Sequence, residues 1–151
     1  ENIEVVKVAE YIANLKAKAF TNISSDTVVI TADTVVILNE QILGKPKNKT
    51  EATKMLQSLS NRNHRVMTGV CIKSKDKTIS FSNTTKVFFK ELTSSEINYY
   101  IENYKPFDKA GSYGIQEWIG VIGISKIEGC YFNVVGLPIN QLFKNLKEYF
   151  F

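Results

Sequence analysis

Residues 27–46 read TVVITADTVVILNEQILGKP. Two β-branched, apolar runs, Thr27–Ile30 and Val35–Leu38, flank a single carboxylate, Asp33. Runs so rich in Val, Ile and Thr predict strand, because branched side chains pack well on a pleated surface. A turn follows at Asn39–Gln41, and then Gly44-Lys45-Pro46. Asp33 is the anomaly, since burying an unpaired carboxylate costs several kcal/mol. The stretch itself leaves two readings open. One is a bulge or turn aspartate at a strand end. The other is a catalytic or metal-binding acid at the floor of a cleft. Pro46 fixes its own φ and restricts Lys45 to extended backbone. A lysine held this way near a strand-end acid is either a point charge for a phosphate or an ordinary loop lysine.

Working outward, residues 3–20 predict a helix with a wide apolar stripe, Ile3, Val6, Ile12 and Leu15 among it. Lys16 and Lys18 lie off or at the edge of that stripe, where spacing alone reads them as a solvated face. Downstream, Thr50 is expected to cap a helix running to about Leu59, with Ala52, Met55, Leu56 and Leu59 inward. His64–Lys73 reads as a strand, hairpinned to a second over Thr78–Lys90, where Ile79, Phe81, Val87 and Phe89 alternate with polar residues. A lone histidine at a strand start, His64, is expected to satisfy backbone groups. Thr93-Ser94-Ser95-Glu96 is a capping box opening a helix over Ser94–Asn103. Trp118–Ile127 reads as a buried strand and Gly129–Gly136 as a short apolar element. A last helix begins near Pro138, with Ile139, Leu142, Phe143 and Leu146 at helical spacing. Helices and strands alternate irregularly around at least one hairpin. The class is therefore α/β, a mixed twisted sheet flanked by helices.

The segment Phe107–Gln116, FDKAGSYGIQ, has neither period. It holds two glycines, an Asp-Lys pair and a Gln. Flexible glycines beside charged and amide side chains suit a loop whose backbone approaches a nucleotide, and equally a plain connection.

Composition bounds the rest. The 151 residues make one domain, 44% hydrophobic and 23% charged, with a formal net charge of +4. That mild excess suits a polyanion, nucleotide or nucleic acid alike, and the positive charges are too dispersed for a basic arm. One histidine excludes most His-based zinc sites. Two distant cysteines, Cys71 and Cys130, point to a reduced cytoplasmic protein. Apolar runs of this length span no membrane. Walker, dinucleotide-fingerprint, HExxH and nucleophile-elbow motifs are all absent. The residues alone support a metal-assisted phosphate site built from Asp33, Lys45 and the Asp108–Gln116 loop.

Five stretches then coincide with one family. They are Ala32-Asp33-Thr34-Val35-Val36; Gly44-Lys45-Pro46 followed by Glu51-Ala52 and Met55-Leu56; Leu59-Ser60 with His64, Val66 and Thr68-Gly69-Val70; Asp108-Lys109-Ala110-Gly111 through Tyr113-Gly114-Ile115-Gln116; and Tyr131 with Asn133-Val134-Val135-Gly136-Leu137-Pro138. In order and spacing the sequence resembles the Maf family of nucleoside triphosphate pyrophosphatases from about residue 9 onward. The resemblance implies an inosine triphosphatase-like α/β fold, two lobes around a cleft, and hydrolysis to a monophosphate and pyrophosphate with a divalent metal, Mg²⁺ or Mn²⁺.

By that resemblance Asp33 matches the family's proton acceptor, taking a proton from water, holding the metal, or both. Lys45 and Lys109 match lysines that neutralise phosphate charge. Lys16 matches a lysine of the first helix, with Lys18 as an alternative. Thr34 and Gln116 match the branch acting on dTTP and UTP. A Gln amide offers one donor and one acceptor to the O4 and N3–H edge of uracil or thymine. A nucleoside triphosphate is thus the expected partner and a homodimer is implied by resemblance only; membrane and nucleic acid are not expected. The family also begins with a strand and a Ser-x-Ser-x-Arg-Arg loop that grips the triphosphate. The expectation is that these are missing from this sequence; the family's acidic pair should also precede the first helix, where Glu1 alone is no basis for assigning it. The competing reading is a non-catalytic regulatory or nucleic-acid-binding protein linked to septum formation.

Overall fold

A computed structural model describes residues 2–151. Glu1, the acidic residue at the start of the sequence, lies outside the described residues.

The two apolar runs around Asp33 are one uninterrupted strand, β1, Val29–Leu38. It turns through Asn39 and Glu40, both at positive φ, into the short β2, Gln41–Leu43. With β3 (Asn63–Lys73), β4 (Thr78–Phe89) and β5 (Ile124–Glu128) they form one sheet in the order β2-β1-β3-β4-β5. The α/β class and the helix-flanked sheet are as expected, but the sheet is not mixed: every described pairing is antiparallel, with tight hairpins returning β1 to β2 and β3 to β4. The expected hairpin is present, β3 against β4 from Asn63↔Phe88 to Lys73↔Thr78. Asp33 stands mid-strand, paired with Gly69, rather than at a strand end or bulge.

The period of two along β1 and β3 divides the sheet's neighbours. On one face lies α1, Val8–Lys18, preceded by a single 3-10 turn at Val5–Lys7; the expected helix over 3–20 is shorter at both ends. Ala9, Ala13 and Ala17, one turn apart, are its buried residues, so the helix backbone lies almost on the sheet. Gly69 makes that approach possible: a Cβ there would sit 2.3 Å from the Glu10 Cα. Thr31 Oγ1 donates to the Ala13 carbonyl at 2.7 Å and ties the helix to β1.

The opposite face carries the main core. Val36, Leu38, Val66, Val87 and Phe89 pack there against α2 (Lys49–Leu59) and α3 (Ser94–Tyr104). The α2 cap is Asn48, not Thr50: its side chain accepts from the Glu51 N–H at 2.9 Å. The Thr93–Glu96 capping box is formed as expected. Trp118–Ile127 departs from the expected strand. It opens as a helix, α4 (Trp118–Gly123), and only then becomes β5. A short all-apolar run has no period to separate helix from strand. Gly120 packs closely within it, since a Cβ there would lie 1.8 Å from the Ile115 carbonyl oxygen. A five-residue helix, α5 (Tyr131–Val135), and α6 (Ile139–Tyr149) complete the chain, with Leu142 of α6 covering Val70 and Ile72. Among the described residues no helix is long and apolar enough to cross a membrane.

Candidate active site

Where β1, the Gly44–Pro46 turn, the 106–117 loop and the end of α5 meet, they enclose a cleft of about 340 Å³. All six residues singled out in the sequence line it: Lys16, Asp33, Thr34, Lys45, Lys109 and Gln116. They come from four separate segments, and the fold is what assembles them.

Lys16 reaches across from α1. Its Nζ lies 3.1 Å from Asp33 Oδ1 and donates to the Ala32 carbonyl at 3.0 Å. Lys16, not Lys18, is therefore the helix lysine that meets the acid. Lys45 stands on its extended turn, held by the buried Pro46 behind it. Lys109 pairs with its neighbour Asp108 at 3.3 Å. That contact, with Lys45 adding to it, holds the exposed Asp108 carboxyl below the usual carboxylate range. The cleft thus sets three ammonium groups against two carboxylates. Such an excess suits a polyphosphate. Gln116 is exposed at the rim, and its amide makes no hydrogen bond among the described residues.

The 106–117 loop is not flexible in the way its glycines suggest. The Gly111 N–H donates to the Gly44 carbonyl at 3.1 Å, which ties the Lys109 and Lys45 turns together. Gly111 has φ 72°, and a Cβ there would press on the Val36 side chain at 3.0 Å, so glycine serves conformation and close packing at once. Ser112 Oγ is buried against Met55 Sδ at 3.1 Å. The Gly114 N–H donates to Tyr100 Oη at 3.2 Å, and that hydroxyl donates in turn to Glu117. Burial, seconded by Glu117, pushes the Tyr100 phenol well above its ordinary pKa, so it stays a donor.

His64 is part of the same support and does not satisfy backbone groups as expected. Its Nε2 lies 2.6 Å from Tyr113 Oη, and its ring stacks on Phe89 at 5.7 Å. Burial holds its pKa down to about 4, so the ring is neutral at pH 7 and has no basic role in the cleft. Two groups escaped sequence reasoning. One is the Tyr100–Glu117 pair under the loop. The other is the polar chain behind Thr34, whose Oγ1 lies 2.8 Å from Thr68 Oγ1. No sequence spacing signals either, because both join distant segments.

A divalent metal can be tested against these residues. Among the described residues no three His, Cys, Asp or Glu side chains converge. Asp33 and Asp108 are the carboxylates of the cleft. Mg²⁺ is usually bound through one or two carboxylates plus substrate phosphates rather than by an all-protein cage. The donor set fits an ion of that kind, completed by a nucleotide.

An acid, three lysines and a free amide thus line one cleft, a set suited to holding a polyphosphate. The model of Maf-like proteins matches residues 1–149, and the chain belongs to the Maf family. Among similar proteins, one of Christiangramia forsetii named dTTP/UTP pyrophosphatase is 50% identical over 149 residues, 98% of this chain and 76% of that protein. One of Porphyromonas gingivalis with the same name is 50% identical over 146 residues, covering 95% and 73%. A third, of Parabacteroides distasonis, also so named, is 47% identical over 150 residues, covering 99% and 78%.

Proposed function

We propose that the protein hydrolyses dTTP and UTP to the monophosphate and pyrophosphate. The observation that carries this is the meeting of Asp33, Lys16, Lys45, Lys109 and Gln116 in one cleft. The name shared by relatives at about half identity supplies the substrate class.

The chemistry follows from the groups present. A water oxygen attacks the α-phosphorus, the bond from that phosphorus to the bridging oxygen breaks, and pyrophosphate leaves. Asp33 takes the proton from the attacking water. Lys45 and Lys109 hold the phosphate oxygens and offset the charge that moves onto the leaving group. Lys16 fixes the Asp33 carboxylate in its place on β1. Asp33 would also hold a divalent cation, Mg²⁺ or Mn²⁺, whose chemistry when bound is to neutralise and orient phosphate oxygens. Gln116 and Thr34 meet the base. Both cysteines are free thiols, which supports a reducing, cytoplasmic setting. A homodimer belongs to the same reading, and sedimentation of the purified chain tests it.

The direct test is pyrophosphate release from dTTP, UTP, CTP, GTP and 7-methyl-GTP with Mg²⁺ or Mn²⁺. The expected result is turnover led by dTTP and UTP. Preference for 7-methyl-GTP would overturn the substrate assignment. Salt-sensitive binding of DNA or RNA, with no turnover of any nucleotide, would favour the regulatory reading instead.

A further inference from the structure

Thr34 lines the cleft, but its hydroxyl proton is not available to a ligand. The reason lies in a chain of hydrogen bonds that leaves no buried carbonyl unpaired when it runs inward from Thr34. Thr68 Oγ1 lies 3.1 Å from the Asn133 carbonyl, which can only accept, so Thr68 spends its single proton there. Thr34 Oγ1, 2.8 Å from Thr68 Oγ1, must then be the donor of that pair. Its other neighbour, the Gly136 carbonyl at 3.4 Å, also only accepts. That contact is long and weak, so Thr68 is the group that turns the Thr34 proton inward, and lone pairs are what the oxygen presents to the cleft.

The chain is anchored at its far end. Asn133 is fully buried, and its Nδ2 donates to the Val66 carbonyl at 3.1 Å and to Thr85 Oγ1 at 3.0 Å. Thr85 Oγ1 donates onward to the Cys130 carbonyl at 2.9 Å. Thr68 and Thr85 are likewise buried, so water does not compete for these protons. The short helix bearing Asn133 therefore cannot shift without breaking bonds to both β3 and β4.

We propose that Thr68 is a specificity-determining residue: by accepting the Thr34 proton it makes Thr34 an acceptor only, and so selects a base that offers a ring N–H. The inference rests on the proposed pyrimidine substrate. Uracil and thymine carry one proton on N3; here Thr34 accepts it and the Gln116 amide is left to donate to O4, whereas N3 of cytosine is an acceptor and would face a lone pair. A site built to accept from a ligand N–H rejects the analogue lacking it, because a buried polar group is then left unpaired. Thr68 touches no substrate in this account. It acts through Thr34 and is a positioning residue.

The test is the ratio of kcat/KM for UTP over CTP in the wild type, Thr68→Val and Thr68→Ser, with melting temperatures alongside. Valine keeps the shape and removes the 2.8 Å acceptor, leaving only the long 3.4 Å contact to the Gly136 carbonyl, too weak to keep the Thr34 proton from a ligand. The ratio is expected to fall about tenfold in Thr68→Val, the scale of one hydrogen bond, mainly through better use of CTP. Thr68→Ser keeps the hydroxyl and is expected to keep the ratio. Proportional loss of both substrates in Thr68→Val, or an unchanged ratio in a folded variant, would overturn the proposal. So would a change confined to the ratio of UTP to dUTP, which would put a sugar hydroxyl rather than the base at Thr34. Should Thr68→Val not fold, N3-methyl-UTP offered to the wild type decides: turnover equal to that of UTP would remove the N3–H contact. A wild type that hydrolyses neither UTP nor dTTP would fail differently, by refuting the substrate assignment itself.

Discussion

The ammonium of Lys16 sits 3.1 Å from the Asp33 carboxylate, although the two residues lie on different elements and 17 positions apart. The lysine side chain is 50% exposed and the aspartate 22%. An ion pair so open to solvent contributes at most about 1 kcal/mol to stability. Its place in the cleft is therefore better explained by function than by folding. Lys16→Ala is expected to leave the melting temperature nearly unchanged while lowering kcat/KM for dTTP about 100-fold, the scale for misplacing a catalytic group, here the Asp33 carboxylate that Lys16 holds. Thermal denaturation and steady-state kinetics on the same preparation check both halves.

What places Lys16 there is the absence of a side chain at Gly69. An added Cβ would stand 2.3 Å from the backbone of Glu10, so α1 would have to move away from the sheet. Gly69→Ala is expected to destabilise the protein by at least about 3 kcal/mol, the upper end for overpacking, because backbone cannot rotate aside as a side chain can. Urea denaturation reads the loss. Activity should fall with it, since Asp33 is paired directly opposite Gly69.

His64 predicts the pH dependence of stability. Its pKa falls from the ordinary 6.5 to about 4 in the fold, with burial as the cause. The unfolded chain therefore binds more protons between those two values, and stability rises with pH across that window. Its contribution is complete above pH 6.5 and is lost as pH falls towards 4, amounting to about 3 kcal/mol. Urea midpoints measured from pH 7 to pH 4 should show this decline. In His64→Phe the part of it due to the imidazole should be absent.

Tyr100 supports the binding loop through its hydroxyl alone. Tyr100→Phe leaves the ring in the core but leaves the Gly114 N–H and the Glu117 carboxylate without that partner. The lysine that matters lies across this spot: a Cβ on Gly114 would come 2.8 Å from Lys109 Cε. The variant is expected to lose about 1–3 kcal/mol of stability, the cost of buried groups left unpaired, and to raise KM for dTTP more than it lowers kcat. Denaturation and a KM-against-kcat comparison separate the two effects.

The elements that sequence period controls were legible. The long hairpin, the Thr93 capping box and the apolar stripe of α6 follow from spacing alone. Of the cleft residues, Asp33, Lys45 and the loop bearing Lys109 and Gln116 stood out in the residues themselves, whereas Lys16 and Thr34 came from the family resemblance alone. Three features were not legible, each for a physical reason. Asp33 interrupts the apolar pattern of β1, and only the pairing with Gly69 shows that the strand runs through it. Trp118–Gly123 is apolar throughout, so neither period stands out, and the fold makes it a helix. The loop glycines at 111 and 114 signalled mobility, whereas tertiary contacts make them points of close packing. His64–Tyr113 and Thr34–Thr68 are pairs between distant segments, for which a linear reading holds no signal.

The central claim is that Asp33 drives hydrolysis, and its most direct test is pyrophosphate release from dTTP by Asp33→Asn beside the wild type. Asparagine keeps the shape and an oxygen for Lys16 but cannot take a proton from water. The account predicts a folded variant with the wild-type melting temperature and a rate lower by about 100-fold or more, the least that losing a general base should cost. A folded Asp33→Asn protein releasing pyrophosphate within about threefold of the wild-type rate would contradict it, because no general base contributes so little.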